Sequence, residues 1–255
     1  MSEPNQNKWA IITGALGGIG QALVQEFSNN GYNVIAADIK KYDNSFSDLN
    51  RVEFVELDLK QITLSEEYSN QCYLKVQELT HEQGIEALVN NAAVQSLAHT
   101  KDMTRTRWQS TFNVNLSAPM FLSQLFLGDL TKNSGSIVNI SSIHATQTKK
   151  EFVAYATSKA ALSSLTRNMV LDIGDKVRVN AIEPAAIATN MLKAGFEGKA
   201  EQFKELEMFH PLGRVGLPSE VAKLAVYLCS EYAGFVQGAC ISASGGIQGC
   251  LSDPK

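Results

Sequence analysis

Short apolar, β-rich runs alternate with longer segments of helical periodicity along nearly the whole chain. Residues 9–12, 34–37, 52–57, 87–89, 136–140, 177–181 and 239–241 read as short strands, most of them nearly continuous in apolar character. Between them, residues 19–29, 68–79, 105–130, 154–173 and 220–228 carry apolar positions at helical spacing. In the 105–130 stretch Trp108, Phe112, Leu116 and Phe121 supply the stripe of one long amphipathic helix. Strand–helix alternation with apolar strands predicts an α/β fold, a doubly wound parallel sheet of about seven strands with helices on both faces. No repeat, low-complexity tract or linker interrupts the pattern, so residues 1–255 are expected to form a single domain. The least regular stretch, about 190–211, sets Gly195 and Gly198 in a charged, partly helical run, a natural substrate lid.

Composition narrows the class. Hydrophobic residues at 44% and charged residues at 19% describe an ordinary globular protein with material for a core. A net charge of −4 leaves no basic footprint for nucleic acid. The polar start lacks the apolar core of a signal peptide, and no uncharged apolar run is long enough to span a bilayer. Cys72, Cys229, Cys240 and Cys250 are scattered without C-x-x-C spacing, which fits reduced thiols. A cytoplasmic protein with no metal site and no membrane partner is the expectation.

The first strand and first helix are joined by Thr13-Gly14-Ala15-Leu16-Gly17-Gly18-Ile19-Gly20. Glycines there let the backbone turn sharply and approach a pyrophosphate, whose charge is favoured at a helix N-terminus. The spacing is not G-x-G-x-x-G; Gly14, Gly18 and Gly20 are the relevant positions. A tight turn without a ligand would account for the glycines alone. Asp38 changes that, standing 18 residues after Gly20 at the end of the second strand. A carboxylate there accepts from both adenosine ribose hydroxyls and repels a 2′-phosphate, favouring NAD over NADP. Lys40 and Lys41 nearby could receive that phosphate, but a solvated loop accounts for them.

Tyr155 and Lys159 are four apart in the 154–173 run and share a helix face, with Ser142 lying 13 residues before the tyrosine. A free phenol has a pKa of about 10. A neighbouring ammonium favours the phenolate and pulls that value toward the working range. Tyr-x-x-x-Lys is common on helix surfaces, so its meaning depends on its companions.

Those companions make the chain resemble the short-chain dehydrogenase/reductase family over nearly its whole length, in the form with one Rossmann-type NAD(P)-binding domain. Thr13-Gly14-x-x-x-Gly18-Ile19-Gly20 is similar to its cofactor motif, and Asp58-Leu59 to the pair that holds adenine. Asn90-Asn91-Ala92-Ala93 resembles its Asn-Asn-Ala-Gly run, with Ala93 in place of glycine. Asn115 stands where the family keeps a catalytic asparagine, and Ser142, Tyr155 and Lys159 fall at the family's spacing. The stretch ending in Glu183-Pro184 resembles the one leading to the nicotinamide site, with Ile187 and Thr189 at carboxamide-binding positions. Ala185 replaces the usual glycine, and Ser244-Gly245-Gly246 matches a motif that usually begins with Asp.

The resemblance implies reversible hydride transfer between a nicotinamide and a carbinol or carbonyl carbon. Tyr155 would exchange the proton with the substrate oxygen. Lys159 would lower the Tyr155 pKa and bond the nicotinamide ribose, and Ser142 would steady the oxygen. Asn115 would hold a water linking Lys159 to solvent. Gly14, Gly18, Ile19, Gly20, Asp38, Asp58, Leu59, Asn91, Ala92, Tyr155, Lys159, Ile187 and Thr189 would hold the cofactor. Subunits of the family commonly form tetramers or dimers through the helices carrying Asn115 and Tyr155. At the substrate end Gln95 and His144 match positions used by D-3-hydroxybutyrate dehydrogenases of the family. Phe152 stands where those enzymes place a lysine, with Lys149 and Lys150 close by. A small 3-hydroxy acid and a neutral polyol, sugar or cyclic alcohol therefore both stay open. Two further readings share the fold: a non-catalytic NAD-binding sensor or scaffold, and an epimerase or dehydratase using bound NAD.

Overall fold

The computed structural model describes residues 8–250. In chain order its elements are β1 (Trp9–Thr13), α1 (Gly18–Asn29), β2 (Asn33–Asp38), β3 (Val52–Glu56), α2 (Leu59–Leu64), α3 (Glu66–Leu79) and β4 (Ala87–Asn90). There follow α4 (Arg105–Phe112), α5 (Ala118–Leu125), α6 (Leu127–Lys132), β5 (Ser136–Ile140), α7 (Val153–Ile173) and β6 (Arg178–Pro184). The last are α8 (Asn190–Gly195), α9 (Ala200–Met208), α10 (Pro218–Cys229) and β7 (Cys240–Ala243). All seven strands form one parallel sheet in the order β3-β2-β1-β4-β5-β6-β7.

Strand alternation sorts the core into two layers. Ile35, Ile11, Leu88, Ile137 and Val179 are in register across five strands and share one face. There they meet Val76 of α3, Leu122 of α5, Leu130 of α6 and Met169 of α7. Ala10, Ile12, Val34, Val138 and Ile182 face the other way, onto Leu23 and Phe27 of α1 and Val221 and Ala225 of α10. Apolar strands buried on both faces need helices on both sides, which is what crossover connections between parallel strands supply.

The expected single helix over 105–130 is broken in the structure. After α4 the backbone passes through one π-helical turn, Asn113–Ser117, then α5 and α6. Pro119 has no N–H to give the Asn115 carbonyl in an α-helical ladder, and the wider turn absorbs that defect. The expected apolar stripe is not the buried face: Trp108 and Phe121 are exposed, while Thr111, Asn113, Asn115, Ala118 and Leu122 point inward. Residues 59–64 form a separate short helix capped by Asp58, which the sequence pattern does not signal. The 190–211 stretch holds α8 and α9, and β6 runs on to Pro184.

Candidate active site

Chain order reverses between β1 and β4, so a crevice opens at the carboxyl ends of these strands, the usual ligand position in such sheets. The glycine turn lines it. Gly14 has φ +64°, and a Cβ there would lie 2.8 Å from the Ala92 Cα. A Cβ on Gly20 would lie 2.0 Å from the Gly14 carbonyl oxygen. Gly18 faces Thr189, whose side chain would be 2.8 Å from an added Cβ. Asn91 fixes the turn from the neighbouring strand, its Nδ2 donating to the carbonyls of Thr13 (2.8 Å) and Gly14 (3.1 Å).

These residues fit a dinucleotide. Helix α1 opens with Gly17 as N-cap, which lends no side chain to the first amides, and its first turn holds no acidic residue. The positive end of the helix is thus left for an anion. Asp38 is buried at the end of β2; its Oδ2 accepts from the Leu16 N–H and its Oδ1 from the Lys40 N–H, both at 3.0 Å. The carboxylate therefore ties the glycine turn to β2. Asp58 spends its Oδ1 on the Lys60 N–H at 2.8 Å, and Leu59 behind it is buried.

Ser142, Tyr155 and Lys159 come together beside this crevice. Ser142 is buried just past β5 beside Tyr155, whose phenol is pushed above its usual pKa by burial and partly brought back by the Ser142 hydroxyl. Lys159 is fully buried, its Nζ 5.7 Å from the Tyr155 ring centre and donating to the Ile140 carbonyl at 2.6 Å. Burial lowers its pKa to about 7. The sequence predicts a lowering of Tyr155 by Lys159; in the fold the Tyr155 pKa is instead raised, with burial the largest cause and Ser142 the opposing one.

Asn115 is also brought close, but its amide is committed. Oδ1 accepts from the Val94 N–H at 2.8 Å, while Nδ2 donates to the Val94 carbonyl and the Ser158 hydroxyl, each at 3.0 Å. The side chain thus clips the strand-end loop to α7, and both Nδ2 hydrogens are used.

At the outer rim, His144 packs on Phe152 with the rings tilted by 34° and 4.5 Å between centres, and meets Tyr155 edge-on at 6.0 Å; Phe152 also meets Tyr155 at 6.0 Å. Lys149 places Nζ 4.7 Å over the Phe152 ring. Burial chiefly, and the Lys149 charge next, hold the His144 pKa below its ordinary value. Gln95 is exposed on the facing loop. Ile187 is buried and bridges to Gly216, while Thr189 caps α8 by accepting from the Leu192 N–H at 3.2 Å.

Sequence reasoning missed several supports. The Thr13 hydroxyl accepts from the N–H groups of Asn91 and Ala92 at 3.0 and 3.1 Å, locking the glycine turn to β4. The Ser141 hydroxyl donates to the Lys159 carbonyl at 2.9 Å and meets Ser163, which donates to the buried Glu183 at 2.8 Å. For Thr13 and Glu183 the available signal was a polar side chain on a largely apolar strand; Ser141 and Ser163 gave none.

Lys159 also sets the pH dependence of stability. Its pKa falls from about 10.4 in an unfolded chain to about 7 in the fold. Between those values the unfolded state binds the extra proton, so this group makes stability rise with pH. Thermal unfolding of the ligand-free protein from pH 7 to 10 is expected to show Lys159→Met melting above the wild type at pH 7, with the gap closing as pH rises. Parallel curves would contradict the buried-lysine assignment.

A nucleotide cradle beside a Ser–Tyr–Lys cluster defines a nicotinamide-dependent oxidoreductase. The protein-family model described as Enoyl-(Acyl carrier protein) reductase matches residues 14–248. Protein FixR of Bradyrhizobium diazoefficiens is 34% identical, over 94% of this chain and 86% of its own. The 7alpha-hydroxysteroid dehydrogenase of Escherichia coli K12 is 32% identical, over 94% and 93%. The ligand-free structure of Thermoplasma acidophilum aldohexose dehydrogenase superposes with a TM-score of 0.87 at 29% identity, covering 98% of each chain. The chain belongs to the short-chain dehydrogenase/reductase family. It is an NAD(P)-dependent oxidoreductase acting on CH–OH groups, interconverting secondary alcohols and ketones.

Proposed function

We propose that Tyr155 is the acid/base of this dehydrogenase, with NAD as the preferred cofactor and a small polar secondary alcohol as substrate. The observation that carries the reading is the Tyr155 phenol set beside Ser142, with the buried Lys159 amine 5.7 Å from its ring centre. The bound nicotinamide supplies the hydride acceptor or donor. In the oxidative direction Tyr155 takes the proton of the substrate hydroxyl, and in reduction it returns it. Ser142 donates to the same substrate oxygen, stabilising the negative charge that builds there. Lys159, its pKa near 7, holds a proton that it can give or take close to neutrality. Asn115 positions the Val94 loop against α7, and Gln95 and His144 flank the substrate. The 190–211 segment, joined to the cradle through Thr189 and Gly18, acts as the lid.

NAD preference rests on Asp38. Replacing it by Ser removes a charge that repels a 2′-phosphate and an acceptor for the ribose. The ratio of kcat/KM with NAD to that with NADP is expected to fall at least about tenfold, the scale of one charge-assisted hydrogen bond. A wild-type enzyme that prefers NADP would overturn this assignment.

The relatives are named for a hydroxysteroid and for aldohexoses, and hydroxy acids, polyols, sugars and cyclic alcohols all stay open as substrate classes here. A homotetramer or homodimer would cover Trp108, Met120 and Phe121, apolar side chains exposed along the α4–α5 helices. No helix among the described residues is long and apolar enough to cross a membrane. A cytoplasmic location agrees with four cysteines that are all free thiols.

A further inference from the structure

The His144 ring has a defined hydrogen-bond polarity. Its Nδ1 lies 3.1 Å from the Gln147 carbonyl oxygen. A carbonyl oxygen only accepts, so the bond exists only with the proton on Nδ1. Gln147 is itself held in place: its Nε2 donates to the Gln248 carbonyl at 2.7 Å, and Gln248 Nε2 donates to the Thr146 hydroxyl at 3.1 Å. The C-terminal segment thus clamps the loop that sets the tautomer.

The surroundings keep the ring neutral. Phe152 covers one face and the Lys149 ammonium lies over the same aromatic group. Both burial and that charge disfavour an imidazolium. Nε2 then carries a bare lone pair, and none of the described residues hydrogen-bonds it. A bare ring nitrogen accepts from O–H; against a carboxylate it sets lone pair against negative charge.

We propose that His144 Nε2 accepts a hydrogen bond from a second hydroxyl on the carbon next to the reacting one. The substrate is therefore a neutral vicinal diol, polyol or sugar, or the matching hydroxy ketone. The His144 ring meets Tyr155 edge-on with ring centres 6.0 Å apart, so the two rings border one site. Exposed Gln95, able to donate and accept, suits the same neutral ligand. The inference rests on the dehydrogenase reading above and goes beyond it in naming the substrate class.

The test is a panel of meso-2,3-butanediol, ribitol and D-glucose against 2-butanol and 3-hydroxybutyrate, each with NAD and NADP, following nicotinamide absorbance. At least one vicinal polyol is expected to exceed 2-butanol and 3-hydroxybutyrate in kcat/KM by about tenfold or more. His144→Leu is expected to lower kcat/KM for that polyol at least about tenfold more than for 2-butanol, and His144→Gln, which keeps an acceptor, to restore part of the difference. Turnover without a polyol preference, or equal losses on both alcohols in His144→Leu, overturns the inference alone. No turnover with any compound overturns the dehydrogenase reading and this inference with it. Nitrogen-15 NMR of the ring at pH 7.5 reads the tautomer directly, and a proton on Nε2 overturns the proposal whatever the turnover.

Discussion

Tyr155→Phe is expected to lower kcat by about 10²–10⁴-fold, the usual contribution of a positioned acid/base. The substitution removes one oxygen and leaves the ring, so its edge contacts with His144 and Phe152 persist. Ser142 loses a partner but still accepts from the His144 N–H at 3.1 Å. NADH binding, followed by fluorescence titration, is expected to stay within a few-fold of wild type. That split between lost turnover and retained binding separates chemistry from collapse of the site. Turnover equal to wild type would sink the assignment of Tyr155 as the acid/base. An NAD-using epimerase or dehydratase would instead convert its substrate with no net change in nicotinamide absorbance.

Gly20→Ala carries the second large effect, through backbone geometry alone. The new methyl would sit 2.0 Å from the Gly14 carbonyl oxygen and 2.8 Å from the Ala15 Cα. Neither neighbour is a side chain that can rotate away, so the turn or the helix must shift. Overpacking of this kind costs about 1–3 kcal/mol. In a chain of this length each kcal/mol corresponds to about 2–4 °C in Tm. The larger loss is in cofactor affinity, because the Gly14 carbonyl is held by Asn91 and the whole cradle moves with it. NADH titration is expected to show binding weakened by about 100-fold or more, the reach of a misplaced anion site. Wild-type affinity in Gly20→Ala would place the pyrophosphate elsewhere.

Most of the architecture was legible in the sequence because parallel strands buried on both faces must be continuously apolar. Ile11, Leu88 and Ile137 announce themselves in this way, and they lie in one row across the sheet. The break in the 105–130 helix was written in Pro119, whose missing N–H outweighs a persuasive apolar stripe. That stripe misled for a second reason: Trp108 and Phe121 are apolar yet exposed, and periodicity marks an apolar face without saying what covers it. At the site, the order of glycines, Asp38, Ser142, Tyr155 and Lys159 was readable, since each residue type answers to one chemical requirement. What could not be read was how hydrogen bonds are spent. Asn115 has the chemistry to bind water, but only the fold reveals that Val94 and Ser158 take its amide. The Lys159 pKa is likewise a product of enclosure, which no spacing encodes.

The two hydrogen bonds between Gln248 and residues 146–147 join segments about a hundred positions apart in the chain. The loop that bears His144 is therefore held in place by a segment near the C-terminal end of the described chain. If His144 contacts the substrate as proposed, a substitution at Gln248 shifts selectivity without touching the catalytic strand, and a grafted loop loses its setting unless Gln248 travels with it.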